Sequence, residues 1–140
     1  MSETFSGLQY LTHDDCRLLK ERSERKAFRA GETLIQQGTQ TKLVYLLVSG
    51  MVRIDGPKGA IAYIGGGDIC GEMAFLEDSL ASATAVAEEN GEAYLITWDA
   101  LRALFDMFPH LGSRFHRSVA RNLSRRLRQQ IGTKKTTSKS

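Results

Sequence analysis

The sequence has few cysteines and no long apolar run. Its two cysteines, Cys16 and Cys70, lack CxxC spacing, which excludes a disulfide framework and predicts buried, inert thiols. No stretch approaches the ~20 consecutive apolar residues that a membrane-spanning helix needs. The N-terminal segment MSETFSGLQY shows neither the basic start nor the apolar core of a signal peptide, so we expect a cytoplasmic protein.

The sequence is also poor in the residues that build metal and nucleophilic sites. The three histidines, His13, His110 and His116, fall in predicted helices outside the β-rich region, which disfavours a metal site built from strand residues. Neither a haem-attachment spacing nor a GxSxG motif is present. We therefore expect no metal cofactor and no enzymatic activity.

Negative charge is absent from the C-terminal quarter. The 140 residues carry a formal net charge of +3, and their 41% hydrophobic and 25% charged content fits one globular domain. Residues 1–106 hold 10 Lys and Arg against all 16 Asp and Glu, a charge of −6, whereas residues 107–140 hold 9 Lys and Arg and no acid. This asymmetry indicates an interaction element or a tail.

Short apolar runs separated by glycines extend from residue 26 to about residue 98. They predict a many-stranded antiparallel region, and strands at intervals of about ten residues favour a closed roll or barrel. Ser49-Gly50 and Asn90-Gly91 predict tight turns that tolerate positive φ. The clearest predicted strands are Lys42–Val48, Met51–Asp55, Ala60–Ile64, Ala83–Glu88 and Glu92–Trp98.

Helices are predicted on both sides of this region. Thr12, three residues before Asp15, predicts a capped helix over residues 13–22. Helical spacing returns at residues 99–108, and Pro109 is placed to start the next helix.

After Pro109, the sequence predicts a long two-faced helix. Its apolar face is formed by Leu111, Phe115, Val119, Leu123, Leu127 and Ile131, interrupted by His116, Asn122 and Arg126. The opposite face carries Arg114, Arg117, Arg121, Arg125 and Arg128. Residues 132–140 have no apolar anchor and are predicted to form a disordered basic tail.

One segment of the β region differs from a plain strand and turn. Gly71-Glu72 opens a short apolar helical turn, and the free backbone N–H groups of such a turn can receive an anion such as phosphate. Three blocks extend this signal, namely Gly31-Glu32 with Gly38, the hairpin Val44–Val52, and Gly67-Asp68-x-x-Gly71-Glu72. At these blocks, and over residues 8–131, the sequence resembles the cyclic nucleotide-binding domain family.

The resemblance implies a mostly β fold with flanking helices. The family has an antiparallel β-roll of eight strands, of the double-stranded β-helix or jelly-roll type, with a short phosphate-cassette helix and a long C-terminal helix. We therefore expect one domain over residues 1–131, with the roll at about 26–98 and the C-terminal helices at about 99–131.

The resemblance also implies a ligand site. In the family, a Gly-Glu pair opens the cassette, the glutamate accepts a hydrogen bond from the ribose 2′-hydroxyl, and backbone amides hold the cyclic phosphate. An arginine in the sequence Arg-x-Ala-Thr then pairs with the phosphate charge. The matching positions here are Gly71, Glu72, Met73, Ala74, Ala81, Ser82, Ala83 and Thr84.

This chain departs from the pattern at the arginine, where it has Ala81. A charge-assisted hydrogen bond contributes roughly 1.5–3 kcal/mol, and removing one partner of a buried charge pair costs roughly 2–5 kcal/mol. At about 1.4 kcal/mol per decade, this lowers affinity by roughly one to three and a half orders of magnitude. The sequence therefore predicts weak or absent binding of cAMP and cGMP. Arg53 or Lys58 could supply a substitute cation, although the sequence places neither at the site.

Three functions stay open. The favoured one is a stand-alone, non-catalytic sensor or adaptor that acts through protein partners. The alternatives are a genuine receptor for a cyclic mono- or dinucleotide with a substitute cation, and a nucleic-acid-associated regulator that uses the basic helix. A cyclic nucleotide is the one small molecule that the resemblance suggests.

The apolar face of the long helix can fold back on the roll, pair with a second copy, or bind a different protein. Dimerisation through residues 111–131 is the favoured interpretation. The chain ends about ten residues after that helix, and a DNA-reading domain needs several tens of residues more. Sequence-specific DNA binding is therefore not expected.

Overall fold

The structure, a computed structural model, describes the backbone of residues 5–138 and the side chains of residues 5–129. Over these residues it has eight strands: β1 Glu24–Phe28, β2 Thr33–Ile35, β3 Leu43–Ser49, β4 Met51–Gly56, β5 Gly59–Gly65, β6 Ile69–Cys70, β7 Thr84–Ala87 and β8 Gly91–Thr97. They form two four-stranded antiparallel sheets with the orders β1-β8-β3-β6 and β2-β7-β4-β5. The predicted antiparallel β-roll is confirmed.

The helices are α1 His13–Glu21, α2 Glu72–Glu77, α3 Trp98–Met107 and α4 Pro109–Ser138, and a 3₁₀ turn covers Ser6–Leu8. The predicted cap of α1 is present, because the Asp15 N–H donates to Thr12 Oγ1 at 3.1 Å and the Thr12 N–H donates to Asp15 Oδ2 at 3.0 Å. Pro109 is the first residue of α4, as predicted.

Strand β3 explains why the roll has two cores. Successive side chains of a strand point to opposite faces, so Val44 and Leu46 lie in the core beneath the helices. Tyr45 and Leu47 lie in the core between the two sheets. Since both faces of β3 are covered, its sequence is an unbroken apolar run rather than an alternating one.

The first half of α4 belongs to the core beneath the helices. Leu111, Phe115 and Val119 are at most 1% exposed and pack with residues of the roll and of α3. These side chains were predicted to form a dimer or partner face, but they are covered by their own chain because the helix folds back on the roll. Leu123 is partly buried at the edge of this core, and Leu127 is 58% exposed. The side chain of Ile131 lies outside the described residues.

Two local predictions differ from the structure. Helix α4 continues over residues 132–138, where disorder was predicted, because adding a residue to an existing helix costs far less than starting one. Gly50 has the expected positive φ of 87°, whereas Gly91 does not. A Cβ at Gly91 would instead collide with the backbone oxygen of Ser49, so glycine is needed there for close approach of two strands.

Candidate functional site

A cavity of about 240 Å³ lies between α2, the strands of the second sheet and helix α4. Its lining includes every residue that the sequence predicted to bind a ligand: Gly71, Glu72, Met73, Ala74, Ala81, Ser82, Ala83 and Thr84. Isoleucines of the sheets, among them Ile54 and Ile64, cover much of the remaining wall. The structure therefore brings two separate sequence segments to one largely apolar site, while the roles of their residues in binding stay predictions.

Gly71 sets the direction in which α2 begins. It is the residue before the helix and has a left-handed φ of 86°, and a Cβ there would lie 2.9 Å from the backbone oxygen of Leu43. Only glycine meets both conditions without strain. No side chain caps the start of α2, so its first N–H groups are left for other partners.

Glu72 is the most unusual residue of the cavity. It is only 4% exposed, and its Oε2 has no hydrogen-bond partner among the described residues. Burial raises the pKa of this carboxyl, whereas its own backbone N–H and the positive charge of Arg126 act in the opposite direction. A buried carboxylate oxygen without a partner costs free energy, so this oxygen is suited to accept a hydrogen bond from a ligand.

The second segment forms the opposite side of the site. Ala81 is 7% exposed and is held by backbone hydrogen bonds, in which its N–H donates to Thr39 O and its carbonyl accepts from Gly38 N, both at 2.9 Å. Thr84 Oγ1 accepts a hydrogen bond from the Gln37 N–H at 3.0 Å. This segment is thus held by hydrogen bonds to the loop that follows β2. It brings the methyl group of Ala81 to the cavity, at the position that was predicted to match the family's arginine.

Neither of the two substitute cations considered from the sequence lines the cavity. Arg53 is bound to other acids, since its Nε donates to Asp55 at 2.8 Å and its Nη1 donates to Glu88 at 2.6 Å. Lys58 lies exposed in the turn between β4 and β5. The hypothesis that one of them replaces the missing arginine is not supported by these positions.

The cation that does reach the cavity is Arg126 of α4, which sequence reasoning did not assign to the site. The signal was available, because Arg126 interrupts the apolar face of the helix. That face turns toward the roll as far as Val119 and Leu123, and Arg126 follows them by seven and three residues, which keeps it on the same side. A charged residue in an apolar face therefore marked the point where α4 passes the cavity.

The five arginines on the opposite face of α4 differ in their contacts with the rest of the chain. Arg114 donates to both carboxylate oxygens of Asp15, at 2.6 and 2.8 Å. The guanidinium of Arg117 lies 4.2 Å from the centre of the Tyr10 ring, and Arg121 donates to the Tyr10 hydroxyl at 3.3 Å. Three of these five arginines thus contact Tyr10 or Asp15 near the N-terminus. The other two, Arg125 and Arg128, are exposed.

The two cysteines form no disulfide with each other. Cys16 and Cys70 are free and buried, and burial raises the pKa of both thiols. In the part of the chain that the structure describes, no group of three or more His, Cys, Asp or Glu side chains could hold a metal ion. None of the described helices is long and apolar enough to cross a bilayer.

Comparison with known proteins agrees with the fold. The cyclic nucleotide-binding domain family matches residues 25–108. The cyclic AMP receptor protein of Thermus thermophilus is 31% identical over 111 residues, which are 76% of this chain and 50% of that protein. The chain therefore spans about half the length of this relative.

Two solved structures are similar over most of the chain. A cyclic nucleotide-binding domain from Methylobacillus flagellatus has a TM-score of 0.79 and 25% identity, covering 88% of this chain and 72% of that one. The catabolite activator protein of Thermus thermophilus has a TM-score of 0.74 and 28% identity, covering 95% of this chain and 63% of that one. The similarity thus extends from the roll to the C-terminal helix.

Proposed function

The chain belongs to the cyclic nucleotide-binding domain family, and from this premise we propose that it is a non-catalytic regulatory module whose cavity binds a cyclic mononucleotide. In this proposal the ribose lies at Glu72 and the cyclic phosphate lies near the first backbone amides of α2. Cyclic AMP, the ligand named for the Thermus relative, is the first candidate.

The observation that carries this proposal is the buried carboxylate of Glu72. Its Oε2 lacks a hydrogen-bond partner among the described residues, at a cost of about 1–3 kcal/mol for a buried acceptor. A ribose 2′-hydroxyl is a donor of the right kind to satisfy this oxygen. The free energy lost in the protein alone would then be recovered when the nucleotide binds.

The size of the cavity favours one nucleotide over two. Its volume of about 240 Å³ lies just below the ~300–1,000 Å³ that is typical of small-molecule sites. A cyclic dinucleotide needs about twice the space of a mononucleotide, so we prefer the smaller ligand. The apolar walls formed by isoleucine side chains suit the flat face of a base.

The regulatory part of the proposal rests on how α2 is packed. Phe75 of α2 lies with its ring centre 6.0 Å from Trp98 and 6.1 Å from Phe105 of α3, and 6.3 Å from Phe115 of α4. A ligand that changes the position of α2 must therefore act on the two C-terminal helices. Through these helices the module would reach a protein partner or a second copy.

The main alternative keeps the adaptor role without the ligand. Ala81 removes the arginine of the family pattern, which predicts weak or absent binding of cAMP and cGMP. In that case Glu72 serves only to cap the helical turn through backbone N–H groups, and Ala81→Arg would be expected to create binding. The two proposals therefore differ in what a titration of the unaltered chain gives.

Isothermal titration calorimetry with cAMP and cGMP tests the proposal. We expect binding in the micromolar range for at least one of them, and much weaker binding of 5′-AMP, whose phosphate is not cyclic. Glu72→Ala should weaken binding by about 10- to 100-fold, as expected for the loss of a hydrogen bond to a charged group.

A matched ligand separates the Glu72 hydrogen bond from other effects of the substitution. The compound 2′-deoxy-cAMP lacks the donor, so it should bind the unaltered chain and Glu72→Ala with similar affinity. Absence of measurable binding of both cyclic nucleotides at millimolar concentration would refute the proposal. Equal losses for both compounds on Glu72→Ala would refute the assigned role of Glu72.

A further inference from the structure

A second cleft, of about 540 Å³, lies between the end of α2, the start of α3 and the segment before β3. We call it the Trp98 cleft, and its lining includes Thr41, Lys42, Asp78, Trp98 and Arg102. We propose that it is a binding site for a small organic carboxylate. The inference goes beyond the proposed function, which concerns the cavity at Glu72.

Buried polar atoms without partners are the first argument. Trp98 is only 2% exposed, and its indole Nε1 and the Oγ1 of Thr41 have no hydrogen-bond partner within the part of the chain that is described. Buried polar groups of this kind are few in native proteins and cost free energy. A ligand that forms hydrogen bonds with these atoms would recover that free energy, and the volume of the cleft lies within the ~300–1,000 Å³ of small-molecule sites.

The backbone of the cleft is the second argument. Over the described residues, Lys42 and Asp78 are the two non-glycine residues with a left-handed φ, 54° and 51°, and both line the Trp98 cleft. The Lys42 carbonyl accepts a hydrogen bond from the Trp98 N–H at 3.0 Å, which ties this conformation to the start of α3. Strained residues of this kind cluster at ligand sites.

The donors of the cleft indicate the chemistry of the ligand. An indole N–H can only donate, so its partner must be an acceptor. Lys42 is exposed, and its ammonium group is paired with none of the described acids. Trp98 is also the first residue of the ten-residue helix α3, whose N-terminal end favours negative charge. An acceptor with a negative charge therefore fits this group of donors.

The charge balance favours a carboxylate over a phosphate. Two cations, Lys42 and Arg102, and two acids, Asp78 and Asp99, line the cleft. Arg102 is partly neutralised, because it lies 3.3 Å from Asp78 and 3.8 Å from Asp99. Lys42 alone can balance the single charge of a carboxylate, whereas a doubly charged phosphate would be repelled by the two acids.

The test uses the fluorescence of Trp98, which is the single tryptophan of the sequence and therefore reports directly on the cleft. The full chain is titrated with sodium benzoate and, as a neutral control of the same shape, with benzamide. We expect a saturable change with benzoate and a dissociation constant of about 1–10 mM, as suits so small a ligand. Benzamide should bind about 10-fold more weakly, because it cannot form the charge-assisted hydrogen bond.

A matched pair of lysine variants assigns the site. Lys42→Gln should weaken benzoate binding by about 10-fold, and Lys42→Arg, which keeps the charge, should restore most of the affinity. Lys58→Gln removes an exposed lysine that does not line the cleft, so it should change the affinity by less than about 2-fold.

A third variant tests the hydroxyl of Thr41. Thr41→Val keeps the shape of the side chain and removes the buried Oγ1, so we expect weaker benzoate binding and a higher melting temperature of the ligand-free chain. A lower melting temperature would show that this hydroxyl is satisfied within the fold, which would contradict the first argument.

The remaining outcomes decide the assignment. A fluorescence change that does not saturate in the millimolar range, or equal binding of benzoate and benzamide, refutes the carboxylate site. Equal affinities of Lys42→Gln and Lys58→Gln refute the role of Lys42. Loss of benzoate binding in Arg126→Ala, which removes the described cation of the cavity at Glu72, would place the carboxylate in that cavity and also refute the site. Since none of these results depends on cAMP binding, this inference and the proposed function fail separately.

Discussion

In the part of helix α4 whose side chains are described, the first half (residues 109–119) and the second half (residues 120–129) differ in the contacts that hold them on the roll. In the first half, Leu111, Phe115 and Val119 are completely buried in the chain's own core, and Arg114 is bound to the buried Asp15. In the second half, from residue 120 to residue 129, the apolar face opens to solvent.

The same apolar pattern thus has two uses. Over the first half it fixes the helix on the roll, and over the second half it leaves a segment that few contacts restrain. Local stability follows buried contacts, so the second half is the part that a ligand or a partner can reposition. Its one cavity-lining residue among those described, Arg126, is where the site and the movable segment meet.

The largest effect should come from removing the anchor of the first half. Phe115→Ala deletes a fully buried ring that contacts Phe75 and Phe105, with ring centres 6.3 and 5.1 Å away. We expect the free energy of unfolding to fall by about 3–5 kcal/mol, measured by urea denaturation. The control Leu127→Ala should change the free energy of unfolding by less than about 0.5 kcal/mol. Similar losses for the two variants would contradict the claim that the first half is anchored more firmly than the second.

A smaller effect is expected at the ion pair of the first half. Arg114→Ala leaves the Asp15 carboxylate buried without its main partner, and because Arg114 itself is partly exposed we expect a loss of about 1–2 kcal/mol at neutral pH. Arg125→Ala is the matched control and should have little effect. An unchanged unfolding midpoint for Arg114→Ala would contradict the assigned anchoring role.

The same ion pair predicts a dependence on pH. Burial alone would raise the pKa of Asp15, but hydrogen bonds from Arg114 and Thr12 outweigh it and lower the pKa below its usual range. A lowered pKa gives stability that is present above the unfolded pKa of aspartate, about 3.9, and lost below it. The difference between the unaltered chain and Arg114→Ala should therefore shrink as the pH falls below about 4; a constant difference would contradict this.

On the cavity side, Glu72→Gln should stabilise the ligand-free chain. Burial raises the pKa of Glu72, so ionising this carboxyl opposes folding. The stability of the folded chain is therefore higher while Glu72 is protonated, and this part of the stability is lost as the pH rises through the raised pKa. The variant should melt at a higher temperature than the unaltered chain at neutral pH, and this difference should disappear in acid. A lower melting temperature at neutral pH would show that the carboxylate is satisfied within the fold.

The smallest effect on stability, and the most informative for association, is expected at Leu127. If a second copy pairs through the second half of α4, sedimentation velocity at tens of micromolar should show a dimer, and Leu127→Ser should shift it toward monomer. A monomeric unaltered chain would contradict the dimer hypothesis. A dimer that Leu127→Ser leaves intact would place the contact elsewhere.

The sequence was sufficient to predict the fold in outline. The apolar runs and their spacing predicted most strands, Thr12 and Asp15 predicted the cap of α1, and Pro109 predicted the start of α4. Strand β1 was largely missed because it lies at the edge of its sheet and four of its five residues are exposed. Strand β6 has only two residues, too few for a pattern.

The site was predictable only in part, for a physical reason. Glu72 and Ala81 lie in segments whose local pattern is distinctive. Arg126 reaches the cavity because α4 folds back on the roll, and the choice between folding back and pairing with another chain depends on tertiary contacts. A periodic pattern shows which face of a helix is apolar, but it does not show what covers that face.

Hydrogen–deuterium exchange along α4, with and without saturating cAMP, tests the central claim most directly. Without ligand, the amides of residues 109–119 should exchange slowly and those of residues 120–129 faster. Addition of cAMP should slow exchange in the second half and leave the first half unchanged, because Arg126 of the second half lines the cavity. If bound cAMP left exchange of residues 120–129 unaltered, the claim that this segment completes the site would be contradicted.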